Sequence, residues 1–288
     1  MTKKFAMGKQ IIAAVDFSKN SVHALEYAIL IGNVIRSDVM MVWVDKPESE
    51  ESLYDNKVIE IRQEAKKRME AYMKKYKNKL KGGTLIYKLR KGKVYKEIGN
   101  MARYHDAYLV VAGAHGVSGY EAFWIGSNAN KIVANADCPV ITIRENFKIK
   151  KTINRVVMPI DNSSATRQKV PFAMEFARYF KSVIYILELQ SSSLKAVRAK
   201  VSSYTNQVVK YLTEHDVKHV VKSIDADNIT TATIQYAQES EADLIIIMTE
   251  QEEATQNIWL GPYAQQMVNH SPIPVMSVHP KILETLAK

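Results

Sequence analysis

A chain of 288 residues, 47% apolar and 24% charged with a formal net charge of +10, has the composition of a globular protein and the length for two medium domains. No apolar run reaches the ~20 residues of a membrane span, and the N-terminal MTKKFAMGKQ lacks the apolar stretch of a secretory leader, so a cytoplasmic protein with no membrane span is expected. A single cysteine, Cys138, excludes an intramolecular disulfide and a cysteine-based zinc site; placed just before Pro139 and an apolar run, it reads as a small core residue.

Residues 10–15, QIIAAV, form a short apolar run ending at Asp16. A helix over about 19–36 and a strand over 38–44 follow. Over 52–80 the apolar residues Val58, Ile61, Ala65, Met69, Tyr72, Tyr76 and Leu80 recur at three or four, which predicts one long amphipathic helix. Glu48, Glu50, Glu51 and Asp55 suit the positive end of its dipole, and Gly82–Gly83 stop it. From Lys57 to Lys96 there are fifteen Lys or Arg and three Glu, a net +12. Lys beside Glu at helical spacing is ordinary helix-surface chemistry. Tyr72 and Tyr76 fall on the apolar stripe and offer no stacking platform, so nucleic acid is not expected as a partner. Strands over 84–89, 107–112 and 139–144, with helices over 93–105 and 127–136, complete the first half.

A polar linker, Asn146–Asn154, leads to a second copy of the same unit. RVVMPI (155–160) ends at Asp161 as QIIAAV ends at Asp16, and a Ser follows two residues later in each, Ser18 and Ser163. The offset of 145 holds through Ala28 against Ala173 and Ser37 against Ser182. Further on, LVVAGAHG (109–116) matches LIIIMTEQ (244–251) at an offset of 135, through Trp124–Ile125–Gly126 against Trp259–Leu260–Gly261. Strands of the second copy are expected near 155–160, 182–188, 217–223, 243–249 and 274–279. Repetition on this scale is a duplicated domain rather than a solenoid. Runs such as Leu109–Val111 and Leu244–Ile247 are apolar without alternation, as strands buried on both faces are. Strand–helix alternation then predicts an α/β fold of two tandem doubly wound domains with parallel sheets, over 1–148 and 152–288.

In an open α/β sheet, ligands bind beyond the carboxyl ends of strands where the strand order reverses. Asp16 ends the first strand. The fourth ends in Gly113–Ala114–His115–Gly116, and nine residues later Gly126–Ser127 open a helix. Glycines let a backbone approach a ligand, consecutive amides form an anion nest, and a helix N-terminus suits phosphate. GAHGVSGYEAFWIGS resembles the signature of the ATP-binding universal stress proteins: Gly, two residues, Gly, nine residues, Gly, Ser/Thr. Asn130–Val133, Asp137–Val140 and Val15–Ser18 are similar to that family as well.

The resemblance implies a five-stranded parallel sheet of order 3-2-1-4-5 in each domain, flanked by helices, with ATP at the crevice between strands 1 and 4. Ala14, Val15 and Asp16 would line the nucleoside side and Val44 would meet adenine through its backbone. Ala112, Gly113, His115, Gly116, Gly126, Ser127 and Asn128 would hold ribose and phosphates, with Mg²⁺ as a companion of the phosphates. Many relatives carry Arg after the second Gly, where this chain has Val117, so one phosphate-facing charge is missing. Family members commonly pair through the last strand, here Val140–Arg144 and Val275–His279, which implies a homodimer or an internal pseudo-dimer.

In the second copy Gly113 becomes Met248, Gly116 becomes Gln251 and Ser127 becomes Pro262, and Glu250, Glu252 and Glu253 enter the loop. Proline has no N–H to offer and the glutamates repel a polyphosphate. This half is expected not to bind ATP and to serve as a packing or partner half. No Walker A segment, kinase motif set or metal cluster is evident. The leading expectation is a cytoplasmic stress-response protein that binds ATP as a regulatory ligand, with no catalytic residue and no metal ligand. The alternatives are a slow ATPase or nucleotidyl transferase, and a ligand-free interaction module using the basic helix 57–80.

Overall fold

The computed structural model describes residues 9–45, 56–114, 127–249 and 260–280. The chain divides into two compact units, Met1–Glu145 and Asn146–Lys288. No helix among the described residues is long and apolar enough to cross a membrane.

Unit 1 runs β1 (Gln10–Ala14), α1 (Lys19–Ile35), β2 (Asp38–Asp45), α2 (Asn56–Tyr76), β3 (Leu85–Lys91), α3 (Val94–Tyr104), β4 (Ala107–Gly113), α4 (Ser127–Asn135) and β5 (Val140–Ile143). All its strand pairs are parallel, in the order β3-β2-β1-β4-β5. Ile11, Ile12 and Ala13 of β1 and Leu109, Val110 and Val111 of β4 have no exposed surface. These are the strands buried on both faces that the unalternated runs predict.

Unit 2 repeats the order: β6 (Arg155–Ile160), a 3-10 turn (Ser164–Arg167), α5 (Val170–Phe180), β7 (Val183–Gln190), α6 (Lys195–Glu214), β8 (His219–Asp225), α7 (Ile229–Glu239), β9 (Leu244–Met248), α8 (Pro262–His270) and β10 (Val275–Val278). Its strands are again parallel, β8-β7-β6-β9-β10. Leu244 through Ile247 are fully buried. The expected α/β class, parallel sheets and 3-2-1-4-5 order therefore hold in each unit.

The duplication extends to local devices. α1 closes on Arg36 in the left-handed region, φ 55°, with its N–H donating to Gly32 O; α5 closes on Lys181, φ 56°, donating to Ala177 O. Such a cap satisfies one of the last carbonyls of a helix. The next residue in each unit, Ser37 or Ser182, donates its hydroxyl to a carbonyl just ahead of the first strand, Lys9 O or Ile153 O. Each staple ties the end of a helix to the start of the strand the unit is built on.

α2 is shorter than the predicted helix. Its described part ends at Tyr76, and Glu48, Glu50, Glu51 and Asp55 lie outside the described residues. Its apolar stripe is buried at Ala65, Met69 and Tyr76, and the Tyr76 hydroxyl donates to Glu26 Oε1 of α1 at 2.9 Å. Gly82 and Gly83 therefore do not stop the helix, which has ended six residues earlier. They let the chain pass close against the end of α1, where Asn33 Oδ1 accepts from Lys81 N at 2.6 Å and Gly82 N at 3.1 Å. A Cβ on Gly83 would lie 2.4 Å from Ser37 O, and one on Gly82 2.5 Å from Gly32 O. Both opponents are backbone, so neither can rotate away. Gly83→Ala is expected to destabilise the protein by about 1–3 kcal/mol, the range of an overpacked site, read as a lower urea midpoint at unchanged m.

Candidate functional site

β1 is the strand at which connectivity reverses: the chain leaves it for β2 on one side and returns through β4 on the other. Register places Ala13 beside Val111 and Ala14 beside Val42. The carboxyl ends of β1, β2 and β4 thus gather Ala14, Val15, Asp16, Val44, Ala112 and Gly113 at one end of the sheet. Ser127 opens α4 and Asn128 follows within its first turn. His115, Gly116 and Gly126 lie outside the described residues, as does the Ser127 side chain.

Asp16 sits in a hydrogen-bonded ring. Its Oδ1 accepts from Ser18 N at 3.0 Å and Ser18 Oγ at 2.6 Å, and its own N–H donates to Ser21 Oγ at 3.2 Å. The N-cap of α1 is Ser18, whose Oγ accepts from Ser21 N. Asp16 itself shapes the turn and holds its carboxylate at the strand end. Phe17 inside the ring takes φ 66°, a left-handed conformation rare for a large side chain. Its ring lies 6.3 Å from Trp43 and 5.8 Å from Tyr72 between centroids, with the Arg68 guanidinium 4.2 Å above it.

Unit 2 reproduces the ring. Asp161 Oδ1 accepts from Ser163 N at 2.9 Å and Ser163 Oγ at 2.6 Å, and Asp161 N donates to Thr166 Oγ1 at 3.1 Å. Beyond it the units diverge. Pro171 stands where unit 1 has Glu26, and without an N–H it cannot carry on a helix begun upstream. The segment that is one 17-residue helix in unit 1 is accordingly split into the 3-10 turn and α5.

Gly113 has a packing reason that the spacing argument does not supply. A Cβ there would meet Asn20 C and Cβ at 2.9 Å, in the first turn of α1. Asn20 Oδ1 also accepts from Glu145 N at 2.9 Å, which fixes that turn over the ends of β4 and β5. Its counterpart Met248 follows the split of the helix. The matching turn is 3-10, and the Met248 side chain lines a crevice instead of colliding with it.

Lys169 occupies that crevice. At the offset of 145 it replaces Ala24, which has no exposed surface. Lys169 is itself only 2% exposed, and its Nζ donates to Thr166 O and Thr166 Oγ1. Burial pushes its pKa down to about 8, against which the nearby Asp161 charge pulls upward. Cys138, the sequence-expected core thiol, is buried, and burial pushes its pKa up to about 12. It is a packing residue rather than a nucleophile at neutral pH.

Sequence reasoning passed over Phe17, Asn20, Trp43 and Lys169. Only Lys169 carried a sequence signal: a lysine in register with an alanine of a helix's buried face.

The Universal stress protein family model matches residues 7–144 and 152–279. A curated universal stress protein of Methanocaldococcus jannaschii is 27% identical over 145 residues, 48% of this chain and 82% of that one. Among solved structures, a universal stress protein from Archaeoglobus fulgidus has a TM-score of 0.74 at 15% identity, covering 96% of this chain and all of that one. A protein of unknown function from Pseudomonas aeruginosa has a TM-score of 0.66 at 14% identity, covering 97% of this chain and 96% of that one. At these identities the structural likeness speaks to the fold.

The buried lysine generates a stability test with a definite sign. Below pH 8 both native and unfolded Lys169 hold the proton, and the burial penalty is present in full. Between about 8 and the ordinary value of 10.5 the unfolded chain keeps a proton the native state has lost, so stability rises with pH. Lys169→Met is expected to stabilise the protein by about 3 kcal/mol at pH 7, and its advantage to shrink by about 2–3 kcal/mol by pH 10, in paired urea titrations. An advantage that stays constant across that window would mean the native lysine is not titrating there.

Proposed function

Because the chain belongs to the universal stress protein family, matched over residues 7–144 and 152–279, we propose that unit 1 binds an adenine nucleotide, ATP in the first instance, as a regulatory ligand of a cytoplasmic stress-response protein. The observation that carries this reading is where the glycine pattern falls. Gly-x2-Gly-x9-Gly-Ser begins on the last residue of β4, Gly113, and ends on the first residue of α4, Ser127. It thus bridges the switch-point strand and a helix N-terminus, beside the Asp16 ring. The free amides of the first turn of α4 are donors for phosphate, and the helix dipole adds to them. Asp16 offers a carboxylate to ribose hydroxyls, and the ends of β1 and β2 are the nucleoside side. Mg²⁺ would accompany the phosphates.

Unit 2 is the half that does not take ATP. Pro262 opens α8 without an N–H, and the crevice is narrowed by Met248 and Lys169. No set of three or more His, Cys, Asp or Glu able to hold a metal ion occurs among the described residues. ATP is proposed as a regulatory ligand rather than a rapidly turned-over substrate.

Denaturing the purified protein and identifying released nucleotide by chromatography tests this directly. Wild type is expected to release adenine nucleotide at up to one equivalent, or to take it up with a micromolar to millimolar Kd. Gly116→Gln, which copies Gln251 of unit 2, should lose at least about tenfold in affinity. Absence of binding at about 10 mM ATP, or undiminished binding by Gly116→Gln, would sink the assignment.

A further inference from the structure

Only the first part of α2 mixes its charges, with Glu60, Glu64 and Glu70 standing among its lysines and arginines. From Lys74 to Lys81 the chain carries Lys74, Lys75, Lys77, Lys79 and Lys81 and no acid, and all of these lysines are exposed. None of them forms an ion pair among the described residues. Of the acids that touch this segment, Glu26 accepts from the Tyr76 hydroxyl and Asp38 from Thr84 N, and neither is paired with a lysine.

The dipole of a helix favours a cation or two in its last turn, which accounts for Lys74 and Lys75. It does not account for a longer run of like charges, which repel one another. The fold does not need them either. The corresponding stretch of unit 2, from the end of α6 to β8, sets Lys210 and Lys218 against Glu214 and Asp216, with Lys210 paired to Glu214 at 3.9 Å. The lysines of unit 1 are displayed on a fixed backbone. The ammonium groups of Lys75 and Lys79 each lie 4.9 Å from the centroid of the buried Tyr76 ring. Asn33 of α1 donates to Lys79 O at 2.9 Å and accepts from Lys81 N at 2.6 Å, and Gly83 packs on Ser37 beside the exposed Arg36. The patch lies where β2 and β3 begin, at the end of the sheet away from the nucleotide crevice.

The kind of polyanion follows from the residue types. A lysine ammonium is a compact, hydrated point charge, whereas arginine forks and aromatic faces serve the reading of nucleic acids. This segment has lysines alone, and its one aromatic, Tyr76, has no exposed surface. Such a set suits a plane of negative charge that offers neither bases nor grooves. We propose that the 74–81 end of unit 1 docks the protein reversibly on an anionic phospholipid surface. Clusters of about four to eight basic residues attach proteins in this way, and each lysine near the surface strengthens attachment about fivefold. Leu80 is buried and contributes no apolar anchor, so the attachment rests on charge and is lost in salt.

Co-sedimentation of the full chain with phosphatidylcholine vesicles, with and without about 30% phosphatidylserine, tests the docking at about 0.1 M salt. Binding to the vesicles that carry phosphatidylserine is expected to be at least about tenfold tighter than to the neutral ones, and to vanish at about 0.5 M salt. Joint substitution of Lys74→Glu, Lys77→Glu and Lys81→Glu should weaken it by at least about a hundredfold. The same change of charge in unit 2, by Lys195→Glu, Lys218→Glu and Lys222→Glu, should weaken it by at most about threefold. Both variants alter exposed side chains and should keep the wild-type urea midpoint. Equal binding to neutral vesicles, binding that survives high salt or the changes at 74, 77 and 81, or an equal loss from the unit 2 changes would each overturn the proposal. Capture of duplex RNA with the anionic vesicles left unbound would overturn it as well, and would assign the patch to nucleic acid.

Discussion

The ring that Asp16 makes with Ser18 and Ser21, and that Asp161 makes with Ser163 and Thr166, is the constraint around which each unit is arranged. It stops the central strand, turns the chain, and aims a carboxylate at the one place in the sheet where neighbouring connections diverge. The acceptor is a carboxylate and the Ser Oγ contacts are 2.6 Å in both copies, so these are charge-assisted bonds of the stronger kind. In unit 1 the same serine caps α1, so one side chain serves the turn and the helix together. A turn this well determined can keep its geometry while everything around it changes.

What changes does so in concert. In unit 1 the helix begins directly after the ring, its first turn presses Asn20 onto the end of β4, and only glycine fits at 113. In unit 2 Pro171 delays the helix, a 3-10 turn takes its place, and Met248 enters the space. The same delay leaves Lys169 at the junction, where its ammonium serves the Thr166 carbonyl near the end of the 3-10 turn. Glycine against methionine, continuous against broken helix, and alanine against lysine are thus one structural alternative, not three separate losses. The crevice of the second half is built with different side chains.

The architecture was legible because its signals are redundant. Apolar runs without alternation, helical stripes between them, and two offsets that hold over many residues each point to the same parallel sheets, and every strand lies within a residue or two of its predicted place. Failures came where one residue type serves two ends. Gly82 and Gly83 read as a helix stop, but their lack of a Cβ is needed by the backbone of α1, more than forty residues away in sequence. Gly113 read as an opening toward a ligand, and its missing Cβ has a second use in making room for Asn20. Glycine marks a close approach without saying what approaches, and that can be learned only from coordinates. Phe17 was illegible for a related reason: a left-handed phenylalanine contradicts local preference and is held by the Asp16 ring and by Trp43 and Tyr72 from other elements.

Lys169 is the residue that most sets the interior of the second unit apart from that of the first. The small apolar residue that serves the position in unit 1 has no charge to desolvate. The ammonium is 2% exposed and hydrogen-bonded only to Thr166, so burial holds its pKa down at about 8 against the upward pull of Asp161. Unit 1 presents a switch-point carboxylate ring with the small, fully buried Ala24 behind it. Unit 2 presents the same carboxylate ring with the buried Lys169 ammonium behind it. One duplicated turn thus stands in front of two different interiors, one apolar and one charged.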